Sequence, residues 1–168
     1  MEISLTSSLK NFFKKIQLTT FNLKKAIIYG LIASVIIFLL VTFLGVILLT
    51  TETVQPEDDI SNATQITQSI PNYALLLVML ITTSILEEIF FRGILLVKIR
   101  EHTQETITIM LTSMVFAFVH ILYMQIFTII MAFIMGIILA YIVLKTKNLF
   151  SSITAHVVYN LIVLIIIS

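Results

Sequence analysis

Residues 72–100 read NYALLLVMLITTSILEEIFFRGILLVKIR. From about Asn72 to Val97 the run is apolar for longer than the roughly 20 residues a helix needs to cross a bilayer. It ends in Lys98 and Arg100, and it carries three charges inside, Glu87, Glu88 and Arg92. An ionisable group in hydrocarbon costs roughly 2.5–3.5 kcal/mol on insertion scales, so these three need partners or a task. The stretch therefore predicts a membrane-spanning helix with polar business near one end.

The rest of the chain fits that reading. Of its 168 residues, 59% are hydrophobic and 11% charged, against roughly a quarter charged in soluble domains. A chain this short cannot bury so much apolar surface in water, and the bilayer is the solvent that accommodates it. Further spans are predicted from about Ala26 to Leu49, Thr106 to Tyr123, Gln125 to Leu144, and Leu149 onward. The expected fold is all-α, a polytopic membrane bundle of about five transmembrane helices. There is no cysteine, hence no disulfide, thiolate metal site or cysteine nucleophile. Without tryptophan, Tyr and Phe are left as interfacial anchors. The net charge of +1 says little about partners. The lipid bilayer is expected among them and nucleic acid is not.

Charge placement orients the bundle. Nine of the ten basic residues lie in the N-terminal segment or after the second and fourth spans, and the tenth is Arg92. Positive residues stay on the cytoplasmic side, which puts the N-terminus inside and the C-terminus outside. Three regions follow. Residues 1–25 space Leu5, Leu9, Phe12, Phe13 and Ile16 helically among lysines, as in a basic amphipathic helix on a membrane surface. Residues 26–71 form the first span and an acidic external loop. Residues 72–168 form a four-helix core. On the fourth span Ala132, Gly136 and Ala140 make a row of small residues along which another helix can approach closely.

Five ionisable groups fall within spans: Glu87, Glu88, Arg92, His120 and His156, with Asn160 as a further strong polar group. Glu88 and Arg92 are four apart and share a helix face, so they can pair. Glu87 is turned by roughly 100° from Glu88, so one carboxylate can be neutralised while the other faces a site. His156 and Asn160 are also four apart, as are Phe116 and His120. Measured from the cytoplasmic helix ends, Glu87 lies roughly 15 Å deep, His120 roughly 16–21 Å, His156 roughly 10 Å and Asn160 roughly 16 Å. Three spans thus place polar groups at overlapping depths, which predicts one polar cavity in the cytoplasmic half of the bilayer. Taken singly, each has a structural role open to it: Glu88 and Arg92 as an ion pair, His120 and Asn160 as interhelical hydrogen-bonding groups, Phe116 as packing. His102 belongs to a polar turn.

Together these residues resemble a known family. Glu87-Glu88-Ile89-Phe90-Phe91-Arg92 resembles the EExxxR motif of the CAAX-protease and bacteriocin-processing (Abi) family, Phe116 to His120 its FxxxH motif, and His156 to Asn160 its HxxxN motif. All three stand in the family's order, and the likeness runs from about Asn72 onward. The resemblance implies a glutamate-dependent intramembrane endopeptidase. Glu87 would be the general base, helped by His120, His156 and Asn160 would stabilise the oxyanion, and Glu88 and Arg92 would support the site. It implies no cofactor and no metal. The partner would be a peptide or protein substrate at the cell membrane, with bacterial relatives tied to bacteriocin maturation and self-immunity. Relatives with additional helices have a fuller shell, which leaves room here for a homo-oligomer or a partner.

Other readings use the same residues. Two histidines and a glutamate can hold a catalytic zinc, although the histidines are 36 positions apart and no HExxH helix is present. A non-catalytic membrane immunity or scaffolding protein would need only the bundle. A proton-coupled transporter could use Glu and His as a relay, but no inverted repeat or broken helix accompanies them.

Overall fold

The computed structural model describes residues 11–50, 61, 65, 72–123 and 126–167. The principal elements among them are five helices: α1 (Leu23–Thr50), α2 (Tyr73–Arg100), α3 (Glu105–Val119), α4 (Ile126–Thr146) and α5 (Phe150–Ile167). Each expected span coincides with one of them to within a few residues. α1, α2, α4 and the stretch Glu105–Leu122, which is α3 with the 3-10 turn that follows it, are long and apolar enough to cross a membrane. α5, with 18 residues, reaches about 27 Å at 1.5 Å per residue, close to the hydrocarbon thickness. The acidic loop expected over 51–71 falls almost wholly outside the described residues.

The bundle is apolar outside and polar within. Val78, Phe118, Leu122 and Ile165 point outward, whereas Ser84, Glu88, Arg92, Thr112, Ser113 and His156 are buried. A surface that apolar is sustained by lipid rather than water. The buried hydroxyls of α3 do not go unpaired: Thr108, Thr112 and Ser113 donate to carbonyls one turn back, at 3.0, 2.8 and 2.7 Å.

α5 packs against α1, α2 and α4, and α3 packs on α4. Small residues allow two close approaches. On the small-residue row of α4, a Cβ at Gly136 would stand 3.0 Å from the Cβ of Ser113 on α3. On α1, a Cβ at Gly30 would stand 2.6 Å from the backbone oxygen of Ser151 and 2.7 Å from Thr154 Cβ, both on α5. Alanine favours a helix over glycine by about 1 kcal/mol. At Gly30 that gain is outweighed, because the opposing atom is backbone. Gly30→Ala is expected to destabilise the protein by about 1–3 kcal/mol, the usual cost of overpacking, read as a lower unfolding midpoint in detergent micelles.

α2 begins at Asn72, whose side-chain oxygen accepts from the amides of Ala74 (2.9 Å) and Leu75 (3.4 Å). It is α-helical to Glu88, then widens into a π-helical turn over Ile89–Leu95, and returns to α over Leu96–Arg100. In the wide turn the hydrogen bonds run five residues back, as from Leu96 to Phe91. Three successive residues are thereby buried on different neighbours. Phe91 meets Phe116 edge-to-face at 4.9 Å, Arg92 turns to Glu88, and Gly93 lies under Ile16 and Leu149.

The segment before α1 departs from the single surface helix expected over 1–25. Residues 1–10 lie outside the described residues, and 11–15 are helical. The helix then stops. Gln17 has φ of 60°, and the amides of Leu18 and Gln17 bond to Phe13 and Lys14 carbonyls, a Schellman closure. The chain crosses to α1 as a strap. Ile16 fills the space over Gly93, Leu149 N–H donates to the Gln17 carbonyl (2.9 Å), and Asn148 Nδ2 donates to the carbonyls of Thr19 (2.9 Å) and Phe21 (2.6 Å). Lys15 adds an ion pair to Glu101 at 3.6 Å. Lys98 hydrogen-bonds Glu101 as well, and with Lys15 beside it holds that carboxyl below its ordinary range. The helix therefore ends where burying Ile16 is worth more than another exposed turn.

Candidate active site

α2 and α5 run antiparallel and meet through two polar rungs one helical turn apart. In the first, His156 Nδ1 lies 2.9 Å from Glu88 Oε1. In the second, Asn160 Nδ2 donates to Ser84 Oγ at 2.9 Å. The i,i+4 pairs Ser84/Glu88 and His156/Asn160 make the register possible, since each pair occupies one helix face.

The two adjacent glutamates have different surroundings. Glu88 is fully buried, and the same oxygen that meets His156 accepts from Arg92 Nη1 at 2.8 Å. Arg92 is 1% exposed, lies over the Phe116 ring at 4.2 Å, and extends Nη2 toward the Gly136 carbonyl at 3.4 Å. A guanidinium so enclosed neutralises its carboxylate and fixes its position. The Glu87 side chain is 37% exposed, and its Oε2 stands 3.8 Å from His156 Nε2. That gap is too long for a direct hydrogen bond and suits one water bonded to both groups.

The histidines can be assigned tautomers. His120 Nδ1 is 2.8 Å from the Phe116 carbonyl, which only accepts, so Nδ1 carries the hydrogen. Neutral His120 then has Nε2 as its accepting nitrogen. His156 Nδ1 likewise donates to the Glu88 carboxylate, which turns Nε2 toward Glu87. Both imidazoles lie against Phe116, with ring centroids 4.7 Å away for His120 and 6.1 Å for His156. Phe116, itself fully buried, thus spaces the two histidines as well as covering Arg92. Among the described residues no group of three His, Asp or Glu side chains is arranged to hold a metal ion.

A family model, type II CAAX prenyl endopeptidase Rce1-like, matches residues 69–162. The chain belongs to that family. No curated protein and no solved structure matches it significantly. The family is one of CAAX-type intramembrane proteases, and with the apolar helices it makes this Rce1-like chain a multi-pass membrane protein. The matched stretch contains Glu87, Glu88, Arg92, His120, His156 and Asn160, and it leaves out α1 and the strap.

In this Rce1-like site Glu87, Glu88, Arg92 and His156 form one contiguous cluster. Asn160 stands one turn further out on Ser84, and His120 joins through Phe116. Sequence reasoning passed over Ser84 and the π-helical turn. Ser84 had a signal, since it lies four residues before Glu88 on the same face. The turn had none, because its widening depends on what Phe91, Arg92 and Gly93 meet on other helices.

Proposed function

We propose that the protein is a glutamate-dependent endopeptidase that cleaves a membrane-associated peptide or protein at the cell membrane. The observation that carries this reading is the division between the two glutamates: Glu88 is sealed between Arg92 and His156, whereas Glu87 keeps an exposed carboxylate beside His156 Nε2. A general base must be open to water, and of the two glutamates Glu87 is the exposed one.

A water between Glu87 and His156 attacks the scissile carbonyl as Glu87 takes its proton. His120, through Nε2, steadies the same water. The carbonyl oxygen becomes an oxyanion and is met by an N–H of Asn160 and by His156, which enters the step as the imidazolium and donates through Nε2. With Glu87 protonated, the positive His156 and Arg92 balance the oxyanion and Glu88 in a low-dielectric site. As the intermediate collapses the C–N bond breaks, and the proton held by Glu87 passes to the departing amine. The products are a carboxylate and a free amine. The substrate class in the family's name, a prenylated CAAX sequence, is the first candidate, and an unlipidated peptide precursor is the second.

The test is cleavage by the full-length protein in liposomes. Quenched fluorescent peptides ending in Cys-aliphatic-aliphatic-X are supplied with and without S-farnesylation, and products are identified by mass. Wild type is expected to release the C-terminal tripeptide. His120→Ala is expected to lower kcat by about 10²-fold, the lower part of the range for positioned acid–base groups. If wild type cuts neither peptide, a non-catalytic immunity or scaffolding role becomes the better reading. A wild-type rate in His120→Ala would remove His120 from the mechanism.

A further inference from the structure

The rung between Ser84 and Asn160 does more than join two helices. Ser84 is 1% exposed, and its hydroxyl proton is committed to the Leu80 carbonyl at 2.8 Å. Its oxygen therefore faces Asn160 only as an acceptor. An asparagine side chain can present either its oxygen or its nitrogen, and the two ends are nearly the same shape. Opposite an acceptor the nitrogen end is selected, and Asn160 Nδ2 donates at 2.9 Å. One N–H is used in this way, and the second remains on the same nitrogen to donate elsewhere. Reversed, the amide would present its carbonyl oxygen at that position and repel a developing oxyanion.

We propose that Ser84 is a positioning residue that sets the orientation of the Asn160 amide, so that a donor rather than an acceptor meets the oxyanion. This rests on the oxyanion role given to Asn160 above. Ser84 itself is buried, out of reach of substrate. It works because Leu80 has taken its proton, and it stands one turn from Glu88 on the helix that also carries Glu87. The same helix thus supplies the base and orients the donor, fixing the distance between attack and charge stabilisation.

The experiment is a double-mutant cycle on the full-length protein in liposomes, using the farnesylated quenched peptide. Asn160→Ala is expected to lower kcat by about 10²–10³-fold, as for loss of one oxyanion donor. Ser84→Ala keeps the donor and loses only its orientation, so kcat falls by roughly 10-fold while KM stays within about twofold. In the Asn160→Ala background Ser84→Ala is expected to change kcat by less than about twofold, since nothing remains to orient. Ser84→Cys, near in volume and a weak acceptor, carries the same expectation where the alanine variant does not fold. A wild-type kcat for Ser84→Ala, or an equal loss in both backgrounds, overturns the positioning role and leaves Asn160 as donor. A wild-type kcat for Asn160→Ala overturns the oxyanion assignment and the role of Ser84 with it.

Discussion

Glu87→Gln is expected to lower kcat for peptide cleavage by about 10³–10⁴-fold, the upper part of the range for a positioned general base, while the bundle stays folded. Glutamine keeps the shape of the side chain and a carbonyl oxygen toward His156, but it cannot accept the proton of an attacking water. Because the Glu87 side chain is 37% exposed and its ion pair with His156 is long, at 3.8 Å, its neutralisation costs little stability. Glu88→Gln is the informative contrast. That oxygen anchors both Arg92 and His156 in a fully buried setting, so its neutralisation is expected to lower activity and stability together. Parallel measurement of cleavage and unfolding midpoint separates the two. If Glu87→Gln cleaves at the wild-type rate, glutamate catalysis at this position is wrong.

Arg92→Met is expected to cost about 3–5 kcal/mol of stability, the cost of removing one partner from a buried ion pair. Methionine fills much of the same space against Phe116 but leaves the Glu88 carboxylate inside the bundle without its guanidinium. Removing both charges behaves differently. In Glu88→Leu/Arg92→Met no unpaired charge remains, and apolar replacement of a buried pair is often neutral or stabilising. The double variant is therefore expected to regain most of the lost stability and none of the activity. Denaturant titration in micelles reads the first, and the liposome assay reads the second. A loss below about 1 kcal/mol in Arg92→Met would mean that Glu88 does not carry its charge in the folded protein.

Much of this was legible beforehand because membrane spans obey few rules. Apolar length located all five helices, and spacing alone gave the Glu88–Arg92 pair and the shared face of His156 and Asn160. Depth along the helices brought α2 and α5 to a common level. What depth cannot give is register: that Glu88 meets His156, and not Asn160, follows from how the helices slide against each other. The π-helical turn was hidden for a related reason, as Ile89 to Leu95 has no local pattern that separates a wide turn from an α-helical one. The end of the helix before Ile16 depends on Gly93 and Leu149, residues far away in sequence. Ser84 was legible in principle, yet in the run Ile81-Thr82-Thr83-Ser84 it reads as one hydroxyl among three.

The strap over Gly93 also has a place in time. Its two bonds to Asn148 join residues 129 and 127 positions apart. At a synthesis rate of about 5–20 residues per second, Thr19 and Phe21 wait roughly 6–26 s for that partner to be made. During this interval α1 to α4 are made, and the first segment has only the Ile16 contact on Gly93 and the Lys15–Glu101 ion pair available to it. Asn148 comes immediately before the helix that carries His156. The Asn148 latch therefore closes only when the last part of the reactive centre is being delivered, so a bundle stalled midway has neither that latch nor a complete site.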